Sequence, residues 1–190
     1  MSTALRFTSA DLAMLPDPID GTRYEIIDGE LFVSKQPHWE HQFTNTVFAS
    51  ALHVWSRQTR LGRAAFTPGL ILAAEQDVVP DVVWLSHARY AESLEADGKL
   101  HVAPELVIEI LSPGSANERR DREFKLKLYS RIGVEEYWIA DWRAHAVEVY
   151  RQDNGQLRLI ATLNNGDILT SPLLPGFALP LVELWDAGME

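Results

Sequence analysis

The run Leu106-Val-Ile-Glu-Ile-Leu111 reads as a strand covered on both faces, and a single carboxylate, Glu109, sits inside it. An ionised carboxylate taken out of water costs several kcal/mol, on the order of the penalty found for buried ions, unless a cation or metal compensates it. A chain with this strand must therefore fold so that something positive reaches Glu109. Strand alternation puts Glu109 on one face with Val107 and Leu111, and Leu106, Ile108 and Ile110 on the other.

The following helix offers a partner. The apolar spacing predicts a helix from about Ala116 to Ile132, and at about 100° per residue Phe124, Leu128, Ile132 and Tyr129 form its buried stripe. Asp121 and Lys125 fall inside that stripe, Lys127 falls outside it and Arg131 lies at its edge. Lys125 is thus directed inward. Asp121 and Lys125 also fit an ordinary i,i+4 ion pair, worth about 0.2–0.5 kcal/mol. Asp81, after Pro80, starts a strand-like segment Asp81–Ser86, and by itself it fits a turn or strand-start role equally well. The plain alternative for Glu109 is a buried salt bridge with an arginine.

Elsewhere the chain alternates helical and strand patterns. Thr8-Ser-Ala-Asp11 has the form of a capping box opening a short helix that stops before Pro16. Arg23–Ile27 and Glu30–Val33 flank Asp28-Gly29, a pair suited to a tight hairpin turn. Helical spacing of Phe43, Val47, Phe48, Ala51, Leu52 and Trp55 predicts a long helix from His38 to about Arg60. Strands are expected near Ala64–Ala74, Asp81–Ser86, Glu105–Ser112, Val134–Ala140, Ala146–Arg151 and Leu157–Thr162, with a turn at Asp153-Asn-Gly155. This mixture predicts an α/β (α+β) fold with a mixed central sheet flanked by helices. At 190 residues without a linker-like stretch, one domain spanning 1–190 is expected.

Composition narrows the chemistry. With no cysteine, thiolate metal sites and cysteine nucleophiles are excluded, so any metal is held by oxygen or imidazole. Met1–Pro16 lacks a leader pattern and no apolar run approaches the roughly 20 residues of a membrane span, which points to the cytoplasm and no membrane partner. A net charge of −10 argues against a surface coated in phosphate-binding cations. Glu118–Arg131 is the locally basic exception, with Arg119, Arg120, Arg122, Lys125, Lys127 and Arg131 against three acidic residues.

Pro80-Asp81, Glu109-Ile-Leu-Ser-Pro-Gly-Ser115, Asp121-x3-Lys125-x3-Tyr129 and Gly133-Val-Glu-Glu-Tyr-Trp-Ile-Ala-Asp141 together resemble the Uma-type family of restriction endonucleases. Tyr24-Glu-Ile-Ile-Asp-Gly-Glu-Leu31 and Leu174-Pro-Gly-Phe177 extend the resemblance over nearly the whole chain. It implies a fold of the PD-(D/E)XK nuclease superfamily, whose core is a mixed sheet flanked by helices. The broader superfamily usually has a lysine two residues beyond its glutamate, where this chain has Leu111. In the resembled family the lysine comes from the next helix, which maps onto Lys125, in agreement with its inward angle.

The resemblance implies Asp81 and Glu109 as catalytic metal ligands, with the backbone carbonyl of Ile110 as a third, and Lys125 as the catalytic cation. The metal would be Mg²⁺, with Mn²⁺ as a substitute, since hard ions suit one or two carboxylates plus waters and phosphate oxygens. Such an ion would acidify a bound water and polarise a phosphodiester, while Lys125 would orient that water or stabilise developing charge. Lesser roles fall to Glu25, placed on the site by the hairpin pattern, to Asp121 beside Lys125, and to Tyr129, whose alternative is a satisfied core hydroxyl. His38 and His41, at i,i+3, lack an evident third ligand for a metal; a helix-start role is expected, with His41 near substrate. The leading expectation is a Mg²⁺-dependent endonuclease of DNA, working as a homodimer so that two clefts serve two strands. The basic stretch Arg119–Arg131 would admit the phosphate backbone. The rivals are a non-catalytic nucleic-acid-binding or regulatory module retaining the fold, and a hydrolase of RNA or a small phosphodiester.

Overall fold

The structure, a computed structural model, describes residues 5–16 and 21–185. Residues 1–4 of the segment read for a leader lie outside them. Among the described residues twelve strands form three sheets. The central one has six strands in the order β10 (Gln156–Asn164), β9 (Ala146–Asp153), β8 (Glu136–Asp141), β7 (Leu106–Ile110), β6 (Val82–Ser86) and β3 (Gly62–Phe66). Only β7 and β8 run parallel; every other neighbouring pair is antiparallel, so the sheet is mixed as expected.

The strand carrying Glu109 is sealed on both sides. On one face Leu106, Ile108 and Ile110 pack with Phe48, Leu52 and Trp55 of the long helix α2 (Trp39–Thr59). On the other, Val107 and Leu111 pack with Leu128 and Tyr129 of the helical segment that follows. All five residues of β7 are buried, as the unbroken apolar run requires. Strand-swapping between sheets explains a difference from the sequence reading. The stretch Ala64–Ala74 is two strands, β3 and β4 (Leu70–Ala73), because Pro68-Gly69 interrupts the ladder and sends β4 into a second sheet. That sheet, β2-β1-β5-β4, comprises β1 (Arg23–Ile27), β2 (Glu30–Ser34), β5 (Gln76–Val78) and β4. Asp28 and Gly29, at φ 50° and 74°, close the β1–β2 hairpin as the sequence predicts. Helix α3 (His87–Ser93), the strand β5 and the hairpin β11 (Ile168–Ser171) with β12 (Leu174–Pro180) were not predicted. The short α1 (Ser9–Leu12) is opened by the Asp11 carboxylate, which accepts from the Thr8 N–H at 2.7 Å.

The expected helix from Ala116 to Ile132 is one helical segment in three parts: α4 (Ser115–Arg119), a π-helical turn (Arg120–Lys125) and α5 (Leu126–Ile132). In a π turn the backbone bonds i to i+5, so Arg120 and Lys125 stack one above the other instead of lying about 140° apart as in an α-helix. Both, with Asp121 between them, are buried. Among the described residues no helix is long and apolar enough to cross a membrane.

Strand β3 approaches β6 closely because Gly62 has no side chain. A Cβ there would lie 2.2 Å from the Leu85 carbonyl and 2.5 Å from the Trp84 ring. Gly62→Ala is expected to destabilise the fold by about 1–3 kcal/mol through overpacking against backbone. Urea denaturation of the variant beside the wild type measures the loss; an unchanged midpoint would contradict the tight β3–β6 contact.

Candidate active site

The antiparallel register of β6 and β7 pairs Val82 with Ile108. Continued by one residue, it sets Asp81 opposite Glu109, and side chains opposed in this way point to the same face about 5 Å apart at Cβ. The Ile110 N–H donates to Asp81 Oδ2 at 2.9 Å. This bond ties the Ile110 backbone, at the end of β7, to the Asp81 side chain. A strand end thereby presents the Asp81 and Glu109 carboxylates to one small cleft.

Lys125 completes the cluster. Its Nζ lies 2.9 Å from Glu109 Oε1 and 2.8 Å from Glu25 Oε1, with Asp121 Oδ1 at 3.9 Å. The Tyr129 hydroxyl donates to the same Glu109 oxygen at 2.8 Å, so Tyr129 spends its proton on the glutamate. His41, at the start of α2, places Nε2 3.2 Å from Asp81 Oδ2. All seven side chains singled out from the sequence thus meet: Asp81, Glu109 and Lys125, with Glu25, His41, Asp121 and Tyr129 around them. His38 turns away, its exposed ring stacked on Trp142 with centroids 5.1 Å apart, so the two histidines do not converge.

Two cations of the cleft were not foreseen. Arg120 is buried, its Nε 2.9 Å from Asp121 Oδ1 and its guanidinium 3.6 Å from Glu25 Oε2. Only the π turn brings it there, and nothing in the sequence signals that turn. Arg23 lies 3.4 Å from Asp81 Oδ1. Its signal was available, because Arg23 and Glu25 are two apart on one strand and share a face.

The expected basic face at Arg119–Arg131 is a correction. Arg119 pairs with Glu123, Arg120 with Asp121, Arg122 with Glu148, and Arg131 with Asp28, while Lys125 is buried. Of the six, Lys127 alone has no carboxylate partner among the described residues. The charge counted along the segment is neutralised in three dimensions, so this stretch is not an open phosphate-binding surface.

Four buried carboxylates around one lysine and one buried arginine cannot all ionise equally. Burial pushes Glu109 up to about 8; Lys125 pulls against this, and Asp81, Asp121 and Glu25 add to it. Burial likewise raises Asp121 above the usual carboxylate range against the pull of Lys125 and Arg120. Burial also opposes ionisation of Asp81 and Glu25, but their partners outweigh it. His41, Lys125 and the Ile110 N–H hold Asp81 well below its ordinary value, and Lys125 with Arg120 holds Glu25 low. Lys125 stays charged because Glu109 and Glu25 outweigh its own burial. The cleft therefore holds one firmly ionised carboxylate, Asp81, beside one that keeps its proton at neutral pH, Glu109.

The cleft is lined by Arg23, Glu25, His41, Asp81, Glu109 and Lys125 among others, and encloses about 20 Å³. That suffices for one water-sized occupant, which needs about 10–15 Å³. Among the described residues no three imidazole, carboxylate or thiolate groups form a ready-made metal cage. Two carboxylates are a hard, incomplete oxygen set, which fits a Mg²⁺-like ion that keeps waters and takes phosphate oxygens.

A mixed sheet with helices on both faces, carrying acidic groups at the ends of adjacent central strands and a lysine on the helical segment that follows, defines a restriction-endonuclease-like fold. The family model described as "Uma2: Putative restriction endonuclease" matches residues 11–182, and the chain belongs to that family. Among solved structures, a protein described as "a putative nuclease belonging to DUF820 from Anabaena variabilis ATCC 29413" superposes with a TM-score of 0.73. The alignment covers 94% of this chain and 97% of that one at 19% sequence identity, a likeness of fold. No curated protein matches the chain.

The raised Glu109 makes stability depend on pH. Its folded value near 8 exceeds the ordinary 4.5, so between these pH values the folded state binds a proton that the unfolded state has lost. Glu109's contribution to stability is then fully present below about 4.5 and is lost as pH rises through 8. In EDTA, urea denaturation of the wild type should show this decline, and Glu109→Gln, which cannot ionise, should flatten it. Parallel pH profiles for the two proteins would contradict the raised value.

Proposed function

We propose that the chain is a divalent-metal-dependent endonuclease hydrolysing DNA phosphodiester bonds, its whole length acting as one nuclease-like domain. The observation that carries this reading is the convergence of Asp81, Glu109 and Lys125 on one cleft. Membership of a family described as restriction endonucleases supports it. Asp81, Glu109 and the Ile110 carbonyl would hold the ion, Mg²⁺ or in its place Mn²⁺. When bound, the ion supplies Lewis-acid polarisation of the phosphodiester and acidification of water.

The remaining chemistry belongs to the chain. Lys125 has three N–H donors, of which two point at Glu109 and Glu25 within hydrogen-bond distance. The third is available to a phosphate oxygen or an attacking water, where a fixed charge in a water-poor site stabilises the transition state strongly. Glu25 holds Lys125, Arg120 in turn pairs with Glu25 and Asp121, and Tyr129 fixes the orientation of Glu109. His41 and Arg23 orient Asp81. Glu109 must release its proton for the full donor set to form, so Mg²⁺ affinity is expected to rise about tenfold per pH unit below about 8 and level off above it. A homodimer would supply one cleft to each strand of a duplex.

The test is cleavage of plasmid and single-stranded DNA by purified protein in Mg²⁺, Mn²⁺ or EDTA, beside Asp81→Asn, Glu109→Gln and Lys125→Met. Metal-dependent cutting by the wild type and its loss in all three variants is the expected outcome, with a fall of about 10²-fold or more. Lys125→Met leaves buried carboxylates unpaired and is expected to cost about 3–5 kcal/mol of stability. Its activity is therefore compared at a temperature where circular dichroism shows it folded. No cutting on DNA or RNA and no Mg²⁺ binding by calorimetry would leave a binding module that keeps the fold without the reaction.

A further inference from the structure

The chain has thirteen arginines, and among the described residues ten of them pair with a carboxylate. The three that do not are Arg57, Arg60 and Arg63. They line the same groove. It encloses about 630 Å³ between the C-terminal end of α2, the start of β3 and the start of α3, and His53 and His87 line it too. All five of these side chains are exposed, and no Asp or Glu lines the groove. In a protein of net charge −10 that pairs its other arginines throughout, this concentration of unneutralised guanidinium groups stands apart.

The arginines are held in place without being discharged. Arg57 lies in the last turn of α2, where the carbonyl end of the helix favours a cation. Arg60 caps that helix in the left-handed conformation at φ 59°. The Arg63 guanidinium lies over the Tyr90 ring, 4.4 Å from its centroid, which fixes the plane and leaves the charge intact. Gly62, between Arg60 and Arg63, allows the chain to press onto β6 and so brings the strand arginine beside the helical ones.

We propose that this groove is a phosphate-backbone-binding surface for nucleic acid, separate from the catalytic cleft. It rests on the reading under Proposed function only in taking nucleic acid as the ligand. The planar fork of arginine matches phosphate bidentately. Apart from Gly62 and Ala64 the lining is polar, unlike the apolar centre of a protein–protein interface and like the polar, cationic surfaces that meet nucleic acid. The groove is open and broad, which suits a polyanionic strand better than a small phosphate compound that would need enclosure. Arg57 is sixteen residues beyond His41 on α2, about 24 Å along the helix and about 160° around it, so the two sites are distinct contact points on the molecule. The groove supplies the open positive surface that the paired Arg119–Arg131 segment lacks.

The test is fluorescence anisotropy with short labelled DNA duplex, DNA single strand and RNA, in EDTA and across a salt series. It compares the wild type, the triple variant Arg57→Ala/Arg60→Ala/Arg63→Ala, and Arg158→Ala as a control arginine that pairs with Asp153 elsewhere. The triple variant is expected to lose at least about tenfold in affinity, with a log K against log salt slope shallower by about 2.7, and Arg158→Ala to change neither. Thermal melting checks that the triple variant, altered only at exposed positions, remains folded. Wild-type affinity and slope in the triple variant overturn the proposal. So does a wild type that binds inorganic phosphate or an acidic peptide at these arginines and no nucleic acid. The two readings fail separately: arginine-dependent binding without metal-dependent cutting overturns the nuclease assignment alone, and cutting with arginine-independent binding overturns this surface alone.

Discussion

The ammonium of Lys125, buried between Glu109 and Glu25, is the contact on which the site depends. A carboxylate in the middle of a sealed strand is tolerated only with a compensating charge, and here the compensation arrives from two directions at once. The helical segment after β7 delivers the lysine, and the β1–β2 hairpin delivers a second carboxylate that holds the lysine in place. Removing Lys125 leaves the buried carboxylates without their cation, which costs more than the pair contributes. The cluster therefore ties the second sheet, the central sheet and the helical segment to one another through a few atoms.

That arrangement is costly in folding terms and informative in functional terms. Four carboxylates share two buried cations, and the imbalance shows in their opposed behaviour, with Asp81 held ionised and Glu109 holding its proton. Environments that separate the titration of neighbouring acids are characteristic of sites built for chemistry, where a later positive charge is accommodated. An apolar replacement of the same volume would satisfy the core with less desolvation, so the cluster has no advantage as a purely structural device.

Much of this was legible in the chain. Glu109 announced itself because alternation and an unbroken apolar run leave it nowhere to go, and Lys125 because helical angles set it among Phe124, Leu128 and Tyr129. The angle held because Lys125, Leu128 and Tyr129 run from the last residue of the π turn into α5, where α-helical geometry resumes. Arg120 was counted with the open basic stretch, whereas the π turn that begins with it is buried and sets it against Asp121 and Glu25. The Arg119–Arg131 segment shows a second limit. Counting charges along a sequence reports composition, whereas openness to a ligand depends on carboxylates such as Glu148 and Asp28, which come from distant parts of the chain. By the same rule Arg57, Arg60 and Arg63 drew no notice in the sequence, since what distinguishes them is the company they lack. The second sheet was only half visible because its strands are short and Pro68-Gly69 lies within what reads as one apolar stretch.

The π turn at Arg120–Lys125 is geometrically equivalent to one residue inserted into an α-helix. Taking that residue out would let the segment regularise, and everything on its N-terminal side would swing by about 100° relative to α5. Lys125 and Tyr129 would keep their places against the sheet, while Arg120 would rotate out of the cleft and Ser115–Arg119 would turn with it. The fold thus contains a one-residue adjustment that separates the anchoring half of the helix from the half that begins at Ser115. Length variation at this turn is a route by which chains of this architecture could alter what their clefts admit without rebuilding the charged centre.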